Sequence, residues 1–114
     1  MKHSGSLKKT RDFQEVYHTG VSCADRNLVI YYRKNLLEMN RLGISVSRKY
    51  GNSVARHLFR RRIRAVYEKR EDDLLRGIDL VVIARNHAAE SSFSELADSF
   101  DRLVRRLKAV VPEQ

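Results

Sequence analysis

Arg41-Leu42-Gly43-Ile44-Ser45-Val46-Ser47-Arg48, then Gly51-Asn52-Ser53, then Arg56-His57-Leu58-Phe59-Arg60-Arg61-Arg62-Ile63-Arg64 is the stretch that decides the fold. In its first part Leu42, Ile44 and Val46 alternate with Gly43, Ser45 and Ser47. That period of two predicts a half-buried strand with one face made of small residues. Asn52 or Ser53 can then cap a helix that runs to about Arg70. On a helical projection Ala55, Phe59, Ile63 and Val66 share one side and can anchor it to a sheet. Beyond the helix, Leu80-Val81-Val82-Ile83-Ala84 is continuously apolar, as expected of a strand covered on both faces. The succession is strand, helix, strand.

The helix concentrates the charge of the chain. Between Arg48 and Arg70 there are nine Lys or Arg residues and a single acid, Glu68, whereas the whole chain carries +9. The rest is close to balanced. Arg56, Arg60 and Arg64 form one ridge, with His57 and Arg61 beside it and Arg62 and Lys69 on another flank. Each like-charge pair along that ridge opposes helix formation by roughly 0.2–0.5 kcal/mol. Arginine at those positions is explained by an anionic ligand that relieves the repulsion. The planar guanidinium also makes two hydrogen bonds to one phosphate. Segregated charge of this kind is how a protein grips a nucleic-acid backbone.

Outward from this centre, Thr10 is placed to cap a short helix containing Phe13, Val16 and Tyr17, ended by Gly20. Leu28-Val29-Ile30-Tyr31-Tyr32 reads as a strand, and the polar stretch around Asn35–Asn40 as a loop. Phe93, Leu96, Ala97, Phe100, Leu103, Val104, Leu107 and Val111 form an unbroken helical stripe. Ser92 and Glu95 offer it a capping box, and Pro112 stops it. Glu71-Asp72-Asp73 reads as a fraying helix end or a solvated loop. Phe13 and Tyr17 share one helix face, and Tyr31 alternates away from Leu28, Ile30 and Tyr32. Such rings either pack in a core or stack on single-stranded bases, and periodicity alone does not separate the two.

With 114 residues, 42% apolar and 32% charged, the chain reads as one domain, 1–114. Residues 1–6 are expected to be a flexible tail, and 110–114 a C-terminal one. The longest apolar runs, Leu28–Tyr32 and Leu80–Ala84, have five residues, too few to cross a bilayer. The apolar side of the basic helix is too narrow for a membrane surface and is needed by the core. Cys23 is alone, so no internal disulfide forms and a reducing cytoplasm is the natural compartment. His3, His18, His57 and His87 lack zinc-site spacing, and no phosphate-cradling glycine motif exists. No protein-borne catalytic or metal site is read from this chain.

The ordered set of elements resembles the protein subunits of bacterial ribonuclease P, over Leu7 to about Leu107. It is carried by Arg41–Lys49, Gly51-Asn52-Ser53-Val54, the Arg-rich helix, Asp12-Phe13-Gln14-Glu15-Val16-Tyr17 with Gly20, and Ile83-Ala84-Arg85. The resemblance implies an α+β, single-domain α/β sandwich: a central mixed sheet packed by three helices, with the Arg-rich helix in a left-handed βαβ crossover. It implies a catalytic RNA that removes the 5′ leader of precursor tRNA with bound magnesium ions (Mg2+), assisted by a monomeric protein. By the same resemblance Arg56, Arg60, Arg61 and Arg64 bind the catalytic RNA. Phe13, Tyr17, Tyr31, Lys49 and His57 bind the leader, with Arg48 and Arg62 as further basic RNA contacts. The family's usual Arg-Asn-Arg at the helix start is here Arg56-His57-Leu58. His57 can still donate and accept hydrogen bonds, whereas Leu58 cannot contact phosphate. Arg62 stands where an apolar residue is common.

The reading is therefore an RNA-binding subunit of an endoribonuclease that matures tRNA 5′ ends. Its rivals are a structural ribosomal-RNA-binding protein with no associated reaction and a protein-only nuclease.

Overall fold

The computed structural model describes residues 1–85 and 91–110. Among the described residues, ten elements in chain order are five strands, three helices and two short 3₁₀ turns. The strands are β1 (Ser4–Ser6), β2 (Val21–Ala24), β3 (Leu28–Lys34), β4 (Asn40–Ser45) and β5 (Ile78–Ala84). The helices are α1 (Thr10–Thr19), α2 (Ser53–Arg70) and α3 (Phe93–Val110). One mixed sheet has the order β1-β4-β5-β3-β2. β4 runs parallel to β1 and β5, and β3 runs antiparallel to β5 and β2. The expected α+β architecture, three helices on a central mixed sheet, is what the chain adopts.

The two faces of the sheet differ in how they are covered. On one, Leu42, Leu80, Val82, Leu28, Ile30 and Tyr32 pack beneath α2 and α3 in the main core. Phe59, Ile63 and Val66 seat α2 there as its period predicts, joined by Tyr67. The stripe of α3 buries Leu96, Ala97, Phe100, Leu103, Val104 and Leu107. Its capping box is formed, with Glu95 N donating to Ser92 Oγ and Ser92 N to Glu95 Oε1. Cys23 is half-buried against α3, its thiol donating to the Leu103 carbonyl. The other face carries α1 alone, over the small cluster Leu7, Val16 and Val81.

Several sequence expectations are corrected. Thr10 does not cap α1: it is the first helical residue, and the Lys9 carbonyl accepts from Asp12 N and Phe13 N instead. The strand read as Arg41–Arg48 ends at Ser45, because Arg48–Tyr50 folds into a 3₁₀ turn pinned by Tyr50 packing on Phe59. Val110 ends α3, while Val111 and Pro112 lie outside the described residues.

Within the tail expected at 1–6, Ser4–Ser6 forms a strand. Ser4-Gly5-Ser6 pairs in register with Asn40-Arg41-Leu42. Its anchor is Glu71, read as a solvated or fraying end but buried. The Glu71 carboxylate accepts from Lys2 N at 2.8 Å, His3 N at 2.9 Å and Ser4 Oγ at 2.6 Å. Burial works against its charge, but the bonds from Ser4, Lys2 and His3 outweigh it and hold the carboxyl at about 2 against an ordinary 4.5. A depressed carboxyl stabilises the fold above its unfolded value, and that stabilisation is lost as pH falls from about 4.5 towards 2. Glu71→Gln should therefore cost about 1–2 kcal/mol at neutral pH. It should also flatten the fall of urea-unfolding stability through that window. Asp25 and Asp79 are shifted in the same direction, so the slope shrinks rather than vanishes. A variant with the parent's full pH dependence would remove Glu71 as its source.

Candidate nucleic-acid interface

α2 starts where the sequence places it, with the Asn52 side chain accepting from Ala55 N at 2.9 Å. Its apolar side is consumed by the core, so its polar residues face outward. Arg61, Arg64 and His57 are exposed, and Arg56 and Arg60 half-buried. The arginines that serve the fold have carboxylate partners: Arg33 and Arg41 pair with Asp79, Arg70 with Asp101, Arg102 with Asp25. Among the described residues Arg56, Arg60, Arg61 and Arg64 have no such partner. Arg56 Nε reaches only the Asn52 carbonyl, at 3.4 Å. The ridge is thus uncompensated positive charge held on a rigid element.

Arg62 is different. It is half-buried, and its guanidinium donates to the Ser91 carbonyl just before α3 at 3.2 Å. Arg48 and Lys49 are exposed on the 3₁₀ turn after β4. Leu58, exposed beside Arg61 and Arg64, lines a shallow hollow with Phe93 between α2 and α3.

The α1 face of the sheet is built in rows across β3, β5 and β4. Register sets Arg33 beside Asp79 beside Arg41, then Tyr31 beside Val81 beside Gly43, then Val29 beside Ile83 beside Ser45. α1 lies across these strands. Phe13 sits over Gly43, where an added Cβ would stand 2.7 Å from the ring. Only glycine in that strand position admits the ring so close to the sheet. Val16 is buried with Val81. Phe13 and Tyr17 have centroids 6.4 Å apart, and Tyr17 meets Tyr31 edge-on at 4.9 Å. All three rings are half-exposed, as are Val29, Ile83 and Ser45 of the outermost row. Burial raises the Tyr17 hydroxyl above its ordinary value, partly countered by a hydrogen bond with Ser45. A row of partly exposed rings above an open apolar floor is suited to stacking unpaired bases.

Two arginines of the ridge reach the β1 edge. Arg60 and Arg64 border a hollow of about 190 Å³ with Ser6, Leu7, Lys8, Leu42 and Ile44. Leu7 also belongs to the cluster under α1. The structure thus sets the α2 arginines and the three aromatic residues on opposite faces of the sheet, with Leu7 at the β1 edge touching both sides. It adds Lys8, Val29 and Ile83, which the sequence reading did not single out. The signals available were the Lys8-Lys9 pair before α1 and the shared parity of Val29 with Tyr31 and of Ile83 with Val81.

Among the described residues no group of three or more His, Cys, Asp or Glu is placed to hold a metal ion. In the acidic run Glu71 points inward to the N-terminal strand, while Asp72 and Asp73 are exposed. No helix of the described residues is long and apolar enough to cross a membrane.

Comparison with known proteins places these features. The family model "Ribonuclease P" matches residues 1–108. A "Ribonuclease P protein component" from Alkaliphilus metalliredigens is 38% identical over 96% of this chain and 99% of that protein. One from Lachnoclostridium phytofermentans is 41% identical over 94% and 92%. Among solved structures, the Staphylococcus aureus RNase P protein superposes with TM-score 0.83 at 36% identity, covering 90% of this chain and 94% of that one. The Thermotoga maritima RNase P protein does so with TM-score 0.79 at 28% identity, covering 96% and 98%.

Proposed function

From the premise that the chain belongs to the ribonuclease P protein family, we propose that it is the RNA-binding subunit of that endoribonuclease, working on the 5′ leaders of precursor tRNA. The α2 ridge of Arg56, Arg60, Arg61 and Arg64 binds the catalytic RNA. The cleft of Phe13, Tyr17 and Tyr31, with Lys49, Arg48 and His57 at the neighbouring turn and helix start, holds the single-stranded leader. The observation that supports this reading is an uncompensated arginine ridge on one face of the sheet together with a row of half-exposed aromatic rings on the other.

The protein's part is electrostatic and positional. Guanidiniums on the ridge lower the repulsion between phosphates where the catalytic RNA meets its substrate. Bases of the leader stack over Tyr31 and its neighbours, which adds affinity for precursor and none for mature tRNA. Hydrolysis belongs to the RNA, as do the magnesium ions that it uses. Among the described residues no group of His, Cys, Asp or Glu is placed to hold a metal ion, and no step here passes through one. The compartment is the cytoplasm, and the protein is monomeric within the ribonucleoprotein.

Reconstitution with the cognate catalytic RNA at low magnesium tests the proposal. Strong stimulation of precursor cleavage is expected, with no cleavage by the protein alone. Absence of stimulation would favour a binding module without a reaction, and cleavage without RNA a protein nuclease.

A further inference from the structure

α1 forms one wall of the cleft, yet little apolar surface holds it in place. Val16 is its one buried residue, in a cluster with Leu7 and Val81. Phe13 and Tyr17 pack against that cluster only in part, and the polar ties of the helix converge on Asp79. This residue is fully buried in β5, the central strand, inside an otherwise apolar run. Arg41 gives it two bonds, Nε to Oδ1 at 2.9 Å and Nη2 to Oδ2 at 2.8 Å. Arg33 Nε adds a third at 3.1 Å, and Asn35 Nδ2 a fourth at 2.8 Å. The free ends of both guanidiniums then reach up to α1. Arg33 Nη1 lies 3.0 Å from Thr19 Oγ1 and 3.4 Å from Glu15 Oε1, and Arg41 Nη1 lies 3.8 Å from Asp12 Oδ2.

We infer that the row Arg33–Asp79–Arg41 is a latch that seats α1 on the sheet, making Asp79 a positioning residue for precursor recognition. A freely moving arginine pairing with a surface acid contributes little, because ordering the side chain costs most of the gain. Here the ordering is already met by the buried carboxylate, so each outer contact fixes the helix at low entropic cost. Two cations on one buried anion also leave one net positive charge facing α1, which draws Asp12 and Glu15 towards it. The two ties lie towards opposite ends of the helix, Asp12 near its start and Glu15 and Thr19 towards its end. They therefore fix its angle as well as its height. Phe13 and Tyr17 lie between them, and their distance from Tyr31 depends on that seating.

The inference rests on the cleft being the leader site, and the test separates the two. In the reconstituted holoenzyme, Asp12→Ala with Glu15→Ala and Thr19→Ala removes every outer contact of the latch and leaves Asp79 paired. Affinity for leader-bearing precursor is expected to fall roughly tenfold, within what an ~1 Å misplacement can cost. Affinities for mature tRNA and for the catalytic RNA should stay unchanged. Hydrogen exchange should quicken in α1 and not in α2 or α3. The charge-keeping pair Asp12→Glu with Glu15→Asp should restore both readouts. Unaltered exchange in α1 overturns the latch. So does faster exchange with precursor preference intact, when a parallel Tyr31→Ala variant loses that preference. If Tyr31→Ala keeps it too, the leader-site reading fails, and this inference with it.

Discussion

Replacing Arg60 and Arg64 together by Ala is expected to weaken association with the catalytic RNA by on the order of 100-fold, or ~3 kcal/mol for two charge-assisted hydrogen bonds. The reasoning starts from what those side chains do not do. Neither has a carboxylate partner among the described residues, and both border the hollow at the β1 edge. Removing them costs the fold little, since Phe59, Ile63 and Val66 on the opposite side seat the helix. Relief of the Arg56/Arg60 and Arg60/Arg64 repulsions should even favour the helix slightly, by roughly 0.2–0.5 kcal/mol per pair. Thermal stability should hold or rise while RNA affinity collapses. A filter-binding series against salt supplies the second readout. Each lost phosphate contact lowers the log–log slope by roughly 0.7–0.9, so the double variant should lose at least about one unit. An unchanged slope would move the RNA surface off α2. Arg62→Ala is the internal contrast: its bond to the Ser91 carbonyl ties α2 to the start of α3, so its loss should show in stability before RNA affinity.

That contrast marks where sequence stops short. A period of 3.6 tells which residues of α2 and α3 share a face, and Phe59, Ile63, Leu96, Phe100 and Leu103 are buried accordingly. It does not tell which neighbour a charged flank will meet, and Arg62 bonds the Ser91 carbonyl. Strand β1 was illegible for another reason. Ser4-Gly5-Ser6 has no β-forming side chains, and its pairing is secured by Glu71, far along the chain. The latch was illegible as well, because Arg33, Asp79 and Arg41 come from three strands and meet only through register. Asp79 did carry a signal: a lone acid opening an apolar run in a central strand needs buried cations beside it. The aromatic cleft was half legible. Alternation in β3 set Tyr31 apart from Ile30 and Tyr32, but only the fold shows that its face is half-covered by one helix.

That half-covered position makes Tyr31→Ala the sharpest test of the cleft. Tyr31 is held edge-on against Tyr17 at 4.9 Å and lies beside Val81 in the middle row, so its ring is oriented before any base arrives. Stacking on a pre-positioned ring contributes roughly 1–3 kcal/mol per base, and that is the loss expected for a leader-bearing substrate. Mature tRNA has no leader to place there, so its affinity should not change. The selectivity, more than the magnitude, identifies the function. Were Tyr31 merely a packing residue, truncation would loosen Tyr17 and α1 and weaken both RNAs alike through a less stable protein. Tyr31→Phe keeps the ring and removes only the hydroxyl, so it should retain the preference for precursor. A precursor-specific loss in the Ala variant, with the Phe variant near the parent, requires the ring face to meet the leader. Equal losses for the two RNAs would return Tyr31 to the core and leave the cleft without an occupant.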